Sequence, residues 1–327
     1  MSVMRTVLAV VLAWGICAVP LAAWAQSATK VRIGVLAGGG IGFNTGFEPF
    51  RQRLRELGYV EGENLVLEVR NAEGRAERNA AYASELVKLE VDVIVVQGNA
   101  ALVALRRATQ SIPIVMAMIG DPVGAGFIAS LAKPGGNITG LSNQAEGISG
   151  KWVELLKEAA PGTTHIGVLW DKNNLAHAKM RGAIDDAGRA LGIRATAWDA
   201  RGPDAITRAF AAMAEDKVGA VIILPDPAFG ANLRQIAGLA AANRLPAVAV
   251  FREFAFAGGL MSYGPSFADN WRRAAEYADK IVRGSRPAEL PVGQPVKFEL
   301  VVNRKTEKAL GLTLPPSIVL RADEILQ

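Results

Sequence analysis

Residues 91–122 read VDVIVVQGNAALVALRRATQSIPIVMAMIGDP, and two short apolar runs stand out in them. The β-branched run Val91, Val93, Ile94, Val95 and Val96 stops at Gln97-Gly98-Asn99, and a helical pattern of Ala100, Leu102, Val103 and Leu105 follows at once. Ser111-Ile112-Pro113 then opens a second run, Ile114 to Ile119, which ends in another polar turn, Gly120-Asp121-Pro122. Near-continuous apolar runs of this length suit strands of a parallel sheet covered by helices on both faces, with buried helix as the alternative for runs this short. In such sheets ligands bind outside the carboxyl ends of the strands, so the two polar turns are expected side by side on a binding surface.

Working outward, the same strand, turn and helix unit repeats. Val31 to Ala37 reads as a strand ending in the glycine cluster Gly38 to Gly42, and Phe47, Phe50, Leu54 and Leu57 follow at helical spacing up to Gly58. Leu65 to Val69 is a second strand, with Tyr82, Leu86, Val87 and Leu89 marking the next helix. A second series starts after Pro134-Gly135-Gly136-Asn137, with strands expected at Ile138–Leu141, His165–Trp170, Arg194–Trp198, Val218–Leu224 and Ala247–Phe251, and helices between them. Gly258 to Pro265 suits a segment passing between lobes, and Trp271, Ala274, Ala275, Ala278, Ile281 and Val282 carry the spacing of a helix lying on a sheet. Arg286 to Pro295 has no periodicity and reads as a return linker, ahead of a last strand at Phe298–Val302. Alternation of this kind predicts an α/β fold of two doubly wound lobes. The boundaries expected are 26–139 plus 261–292 for the first lobe and 140–260 plus 293–327 for the second.

A chain of 327 residues is long enough for two such units. Its 36 basic and 31 acidic residues leave a net charge of +5, and the basic residues are scattered through helical stretches, which argues against a nucleic-acid surface. At the start, Arg5 precedes an apolar stretch from Val7 to Val19, then Pro20 and the small-residue box Ala23-Trp24-Ala25. That is the pattern of a secretory signal peptide over residues 1–25, cleaved before Gln26, and it predicts a periplasmic protein. The one cysteine, Cys17, falls inside this segment, so the mature chain is expected to have no disulfide, thiolate nucleophile or thiolate metal site.

Candidate contacts come from the strand-end turns. The glycine cluster fails as a dinucleotide loop, because a G-x-G-x-x-G frame opened at Gly38 ends on Phe43 and one opened at Gly40 ends on Thr45. Two milder readings stay open, a lip whose N–H groups face a cleft with Asn44 and Thr45, or a plain loop. Gln97-Gly98-Asn99-Ala100 opens a helix, and its unpaired N–H groups and positive dipole end suit a carboxylate; the plainer alternative is a helix cap by Asn99. Asp121 stands in the next turn, also as a contact or a cap. Asp226 sits between Pro225 and Pro227 directly after an apolar strand, so its carboxylate projects either to a ligand amine or into its own turn. Phe229 and Tyr263 are candidates for an apolar wall, with core packing as the alternative.

Enzyme signatures are thin. His165 and His177 fall in a strand and a helix, no His/Glu spacing suits zinc, and neither a G-x-S-x-G elbow nor a Walker loop is present. No catalytic residue, metal site or cofactor is therefore expected.

Several segments together carry a resemblance. They are Gly58-Tyr59-Val60-Glu61-Gly62-Glu63-Asn64, Ile119-Gly120-Asp121-Pro122-Val123, Lys133-Pro134-Gly135-Gly136-Asn137-Ile138-Thr139-Gly140, Gly258 to Pro265, and the tail from Phe298 through Pro315-Pro316-Ser317 to Glu324. In this order they resemble the ABC transporter substrate-binding protein family with the type I periplasmic binding protein fold, which includes tryptophan-binding, TrpX-like members. The resemblance implies two Rossmann-like lobes joined by a three-segment hinge, with a small molecule bound by closure between them. It implies a monomer that delivers its ligand to an ABC permease in the inner membrane, without a cofactor. By position, family contacts fall near Gly40, Asn44, Gln97, Gly98, Asn99, Ala100 and Asp121 in one lobe, and near Ser142, Asn173, Asn174 and Asp226 in the other. The sequence departs from TrpX-like members around Gln97 to Asn99 and Pro225 to Phe229, so the ligand expected is an amino acid or another carboxylate rather than tryptophan in particular. Rival readings are a ligand-sensing subunit for a membrane sensor and an exported α/β hydrolase. A LacI-type regulator shares the fold but lacks support from an N-terminal helix-turn-helix.

Overall fold

A computed structural model describes residues 30–38, 43–143 and 147–327. The expected signal peptide and Gly40 lie outside these residues.

Strand β1 (Val31–Ala37) is followed by helix α1 (Phe43–Glu56), β2 (Leu65–Asn71), α2 (Arg78–Lys88), β3 (Val93–Gln97), α3 (Asn99–Ala108), β4 (Ile114–Ile119) and β5 (Ile138–Ser142). These strands form one parallel sheet in the order β2-β1-β3-β4-β5. The apolar runs that define it are buried on both faces. Along β3, Val93 and Val95 enter the core beneath α1, while Ile94 and Val96 enter the opposite core beneath α2 and α3.

The second lobe continues with α4 (Ile148–Ala159), β6 (His165–Trp170), α5 (Leu175–Ala190), β7 (Arg194–Asp199), α6 (Pro203–Glu215), β8 (Ala220–Ile223), the short α7 (Pro227–Gly230), α8 (Leu233–Ala242), β9 (Ala247–Ala249), α9 (Glu253–Phe256) and β10 (Met261–Pro265). Helix α10 (Phe267–Val282) then returns to the first lobe, and β11 (Phe298–Asn303), α11 (Arg304–Ala309), α12 (Pro316–Arg321) and β12 (Glu324–Leu326) complete the second. Its seven-stranded sheet runs β12-β11-β10-β9-β8-β6-β7, parallel throughout except where β10 meets β11. Along β8 the two faces again alternate, Ala220 and Ile222 in one core and Val221 and Ile223 in the other.

Two α/β lobes with largely parallel sheets are thus joined by three crossings: between Ser142 and Ile148, between Pro265 and Phe267, and between Gly293 and Phe298. The strand pairings set these crossings a few residues later than hydropathy suggests. Met261–Pro265 pairs with β9 and β11 in the second sheet, and Ser142 and Gly293 are hydrogen-bonded to each other at the edge of the first. A strand's sheet is chosen by its ladder partners, and apolar periodicity carries no record of them. Four short elements, α7, α9, α12 and β12, have too few residues to show a period and were not anticipated.

Helix α10 anchors the crossing in the first lobe. Trp271 is fully buried between Phe47 and Phe50 of α1, at ring separations of 6.0 and 5.7 Å and near-perpendicular angles. Gly46 makes this approach possible, because a Cβ there would stand 1.9 Å from the indole. Among the described residues no helix is long and apolar enough to cross a membrane, and no cluster of three His, Cys, Asp or Glu is placed to hold a metal ion.

Candidate functional site

In the first lobe the turns after β3 and β4 lie side by side. The Asn99 side chain joins them, its Nδ2 donating to the Gly120 carbonyl and its Oδ1 accepting the Gly120 N–H, both at 3.0 Å. Asn99 is therefore not the cap of α3. The cap position belongs to Gly98, at φ +93° and ψ 138°, which has no side chain to offer the first N–H groups of the helix. Asn99 and Ala100 are exposed there, while Gln97 is buried at the end of β3 with its carbonyl accepting the Gly38 N–H. Asp121 adopts a positive φ of 40° and turns its carboxylate onto the N–H of Gly124 at 2.9 Å, the capping role that the sequence left open. Ser142 is buried at the end of β5, and the next residue, Asn143, donates its N–H to Ile119 at 2.7 Å. Asn44 falls in the first turn of α1.

In the second lobe the ends of β6 and β8 are tied into one polar cluster. Asp226 is 7% exposed; its Oδ1 accepts the Ala228 N–H at 2.8 Å and its Oδ2 accepts the Asn174 amide at 2.9 Å. Asn174 also caps α5 by accepting the Ala176 N–H. Exposed Asn173 donates both its N–H and its side-chain amide to the buried carboxylate of Asp171, at 2.8 and 3.1 Å.

Beneath this cluster lies His177, fully buried. Its Nδ1 lies 3.0 Å from the Asp171 N–H and 3.1 Å from the Asp171 carbonyl, and its Nε2 lies 3.2 Å from the Pro225 carbonyl and 4.0 Å from Asp226 Oδ2. The ring stacks on Phe229 with 7° between planes. Phe229 is itself wholly inside the lobe core, so it supports the cluster from below and does not line a cleft. The spacing from His177 to Pro225 is long in sequence, which is why a lone histidine on a helix gave no sign of this role.

The chain matches the family model described as ABC transporter substrate binding protein over residues 42–326. It belongs to that family. Among curated proteins it is similar to a tyrosine-binding protein of Clostridioides difficile, 25% identical over 263 residues, or 80% of this chain and 75% of the relative. Among solved structures it is similar to a conserved domain protein of Vibrio cholerae, at 26% identity and a TM-score of 0.83, covering 91% of this chain and 100% of that one. An ABC domain solved in complex with L-Trp from Streptococcus pneumonia has 24% identity, also with a TM-score of 0.83, over 91% of this chain and 100% of that chain.

As a substrate-binding protein of ABC import, the chain belongs to a class that binds solute and does not catalyse. The strand ends just described lie at the carboxyl ends of parallel strands, the side of such sheets on which ligands bind. At the crossings between the lobes Tyr263 of β10 stacks on Phe298 of β11 at 5.8 Å, and its carbonyl accepts the indole N–H of Trp152 at 2.8 Å. It is a half-buried residue of the crossing strands, packed on the core of the second lobe. Phe251, after β9, was not singled out from the sequence, because it closes an apolar run like any core residue. In the structure it is half-buried and packs against the cores of both lobes. A depression of ≈ 690 Å³ beside α8 and α9, lined by Arg234, Gln235, Glu253 and Phe256 among others, is bounded by the second lobe alone, so closure of the lobes would not enclose it.

Proposed function

We infer that the chain is exported to the periplasm and there binds an amino acid between its lobes, as a monomer and without catalysis, for an ABC permease of the inner membrane. One observation carries the ligand class: the strand ends of the two lobes offer complementary partners for a zwitterion. In the first lobe the N-terminus of α3 has no side-chain cap and exposes Asn99 and Ala100, a seat for a carboxylate. In the second, among the described residues, the buried Asp226 carboxylate is hydrogen-bonded by uncharged donors, Ala228 N–H and the Asn174 amide, with the Asn173 and Asp171 pair beside it. An ammonium group there gains a charge-assisted bond. The tyrosine-binding and L-Trp-bound relatives support an amino acid without deciding which. The family membership and the signal-like pattern of residues 1–25 support export and transport.

The test is a titration of the mature chain, from Gln26, with the twenty amino acids and with their deaminated carboxylates. Asp226→Asn keeps the oxygen that accepts the Ala228 N–H but turns an amide toward the Asn174 amide, so its folding is checked first by circular dichroism; it should weaken amino-acid binding at least tenfold while changing the deaminated analogues little. Failure of every amino acid to bind the wild-type chain would overturn the amino-acid reading. Equal affinity for the two ligand sets would remove Asp226 as the ammonium partner.

A further inference from the structure

The middle crossing between the lobes is one residue long. Strand β10 ends at Pro265, helix α10 begins at Phe267, and Ser266 between them is 1% exposed. Both lobes hold this residue. On the side of the first lobe Ser266 is the N-cap of α10: its Oγ accepts the Asp269 N–H at 3.3 Å, and its carbonyl accepts the Asn270 N–H at 3.1 Å. On the side of the second its N–H donates to the Lys297 carbonyl at 2.9 Å, and its hydroxyl donates to Glu299 Oε1 at 2.6 Å. Glu299 belongs to β11, which pairs with β10, and its other oxygen lies 3.6 Å from the Arg252 guanidinium, itself paired with Glu324 of β12. One buried hydroxyl thus accepts from a helix packed on the first lobe and donates to a carboxylate in the sheet of the second.

We propose that Glu299 is a positioning residue for ligand binding: through the Ser266 hydroxyl it pins the middle crossing, and so holds the two lobes in the relative orientation that takes the ligand. The inference rests on the amino-acid reading above for the ligand used in its test, and concerns how the lobes are held, which that reading leaves open. The physical ground is that Ser266 has no neighbour in the crossing to share a rotation. Pro265 has its φ fixed by its ring and Phe267 is already helical, so turning α10 against β10 falls on Ser266. With that turn the hydroxyl leaves either the Asp269 N–H or Glu299. A hydrogen bond to a carboxylate is the stronger kind, so the Glu299 bond resists the turn. Lobes kept near one orientation lose less freedom on binding than lobes gathered from many, and the affinity is higher for it.

The experiment combines small-angle scattering with calorimetric titration of the full mature chain by the twenty amino acids, for wild type, Glu299→Leu and Glu299→Gln. Glu299→Leu removes the acceptor and leaves the Ser266 cap of α10 in place, whereas Glu299→Gln keeps an oxygen for the hydroxyl. Glu299→Leu should weaken binding of the amino acid that the wild type prefers about tenfold, the size expected of a hydrogen bond to a charged acceptor. It should also enlarge the radius of gyration of the ligand-free chain, while the radius at saturation stays that of the wild type. Glu299→Gln should recover most of the lost affinity. A lower denaturant midpoint with affinity and radius unchanged would make the bond a local prop and overturn the proposal, as would tighter binding by Glu299→Leu; in both cases the amino-acid reading stands. A wild type that binds no amino acid overturns that reading alone, and the ligand-free radius then decides: a larger one in Glu299→Leu supports the pin, and equal radii overturn it. Should Glu299→Leu fail to fold, Ser266→Ala takes its place, with Ser266→Thr as the variant that restores the hydroxyl and the same outcomes deciding.

Discussion

The two histidines show how one residue type takes different work from its surroundings. His177 is a fixed strut between the ends of β6 and β8. His165 is the one with a consequence for pH. It is 7% exposed at the start of β6, its Nδ1 lies 3.0 Å from the Arg194 guanidinium, and its Nε2 lies 2.9 Å from Thr196 Oγ1. Burial first, and then the Arg194 charge, hold its imidazole below the ordinary histidine range, against the opposing pull of Asp216. The folded state therefore prefers the neutral ring. Above the ordinary value both states are neutral and the ring contributes nothing to pH dependence. As pH falls through the ordinary value toward the lowered one, the unfolded chain takes up a proton that the folded chain refuses, and stability drops. His165→Gln, which can still accept from Arg194, should flatten this slope in urea midpoints measured between about pH 7.5 and 5. Parallel slopes for the two proteins would show that other groups set the acid limb.

Helices α1 and α10 hold the middle crossing to the first lobe, and the aromatic contact between them outweighs the ion pairs around it. Arg53 meets Glu276 at 3.0 Å and Arg272 meets Glu56 at 2.9 Å, but these pairs are partly or largely solvated and contribute little. The buried Trp271 needs the space over Gly46. Alanine in place of a helical glycine ordinarily stabilises by about 0.5–1 kcal/mol, whereas overpacking a filled core costs about 1–3 kcal/mol. With the indole 1.9 Å from the added Cβ the second effect wins, so Gly46→Ala should destabilise by about 1–2 kcal/mol, read from denaturant unfolding. A gain in stability would mean that Trp271 can move aside freely.

Among the described residues, two separately cored lobes meet through three crossings and share one aromatic side chain, Phe251. Contacts from both lobes to one ligand exist only when the lobes are together, so binding selects that arrangement. With amino acid in excess, the radius of gyration from small-angle scattering should fall. The thermal midpoint should rise in step, reaching a stabilisation of about 2.7 kcal/mol at a hundredfold excess over Kd. A midpoint that rises while the radius stays constant would place the ligand on one lobe and sink the closure model.

The amino-acid sequence alone was enough for the two-lobe α/β plan. Buried parallel strands are written locally, as β-branched runs such as Val93 to Val96 and Val221 to Ile223, each stopped by a polar turn. The turns that carry polar groups were legible for the same reason. What those groups do was not. Asp121 was as good a cap as a contact until its hydrogen-bond partner was known, Asn99 proved to bridge two turns, and Phe229 passed from wall to core. The sheet that holds Met261–Pro265, the buried seat of His177 and the position of Phe251 between the lobes all depend on segments far apart in the chain coming together. Hydropathy periods report only which face of an element is buried; the neighbour that buries it is chosen by long-range packing.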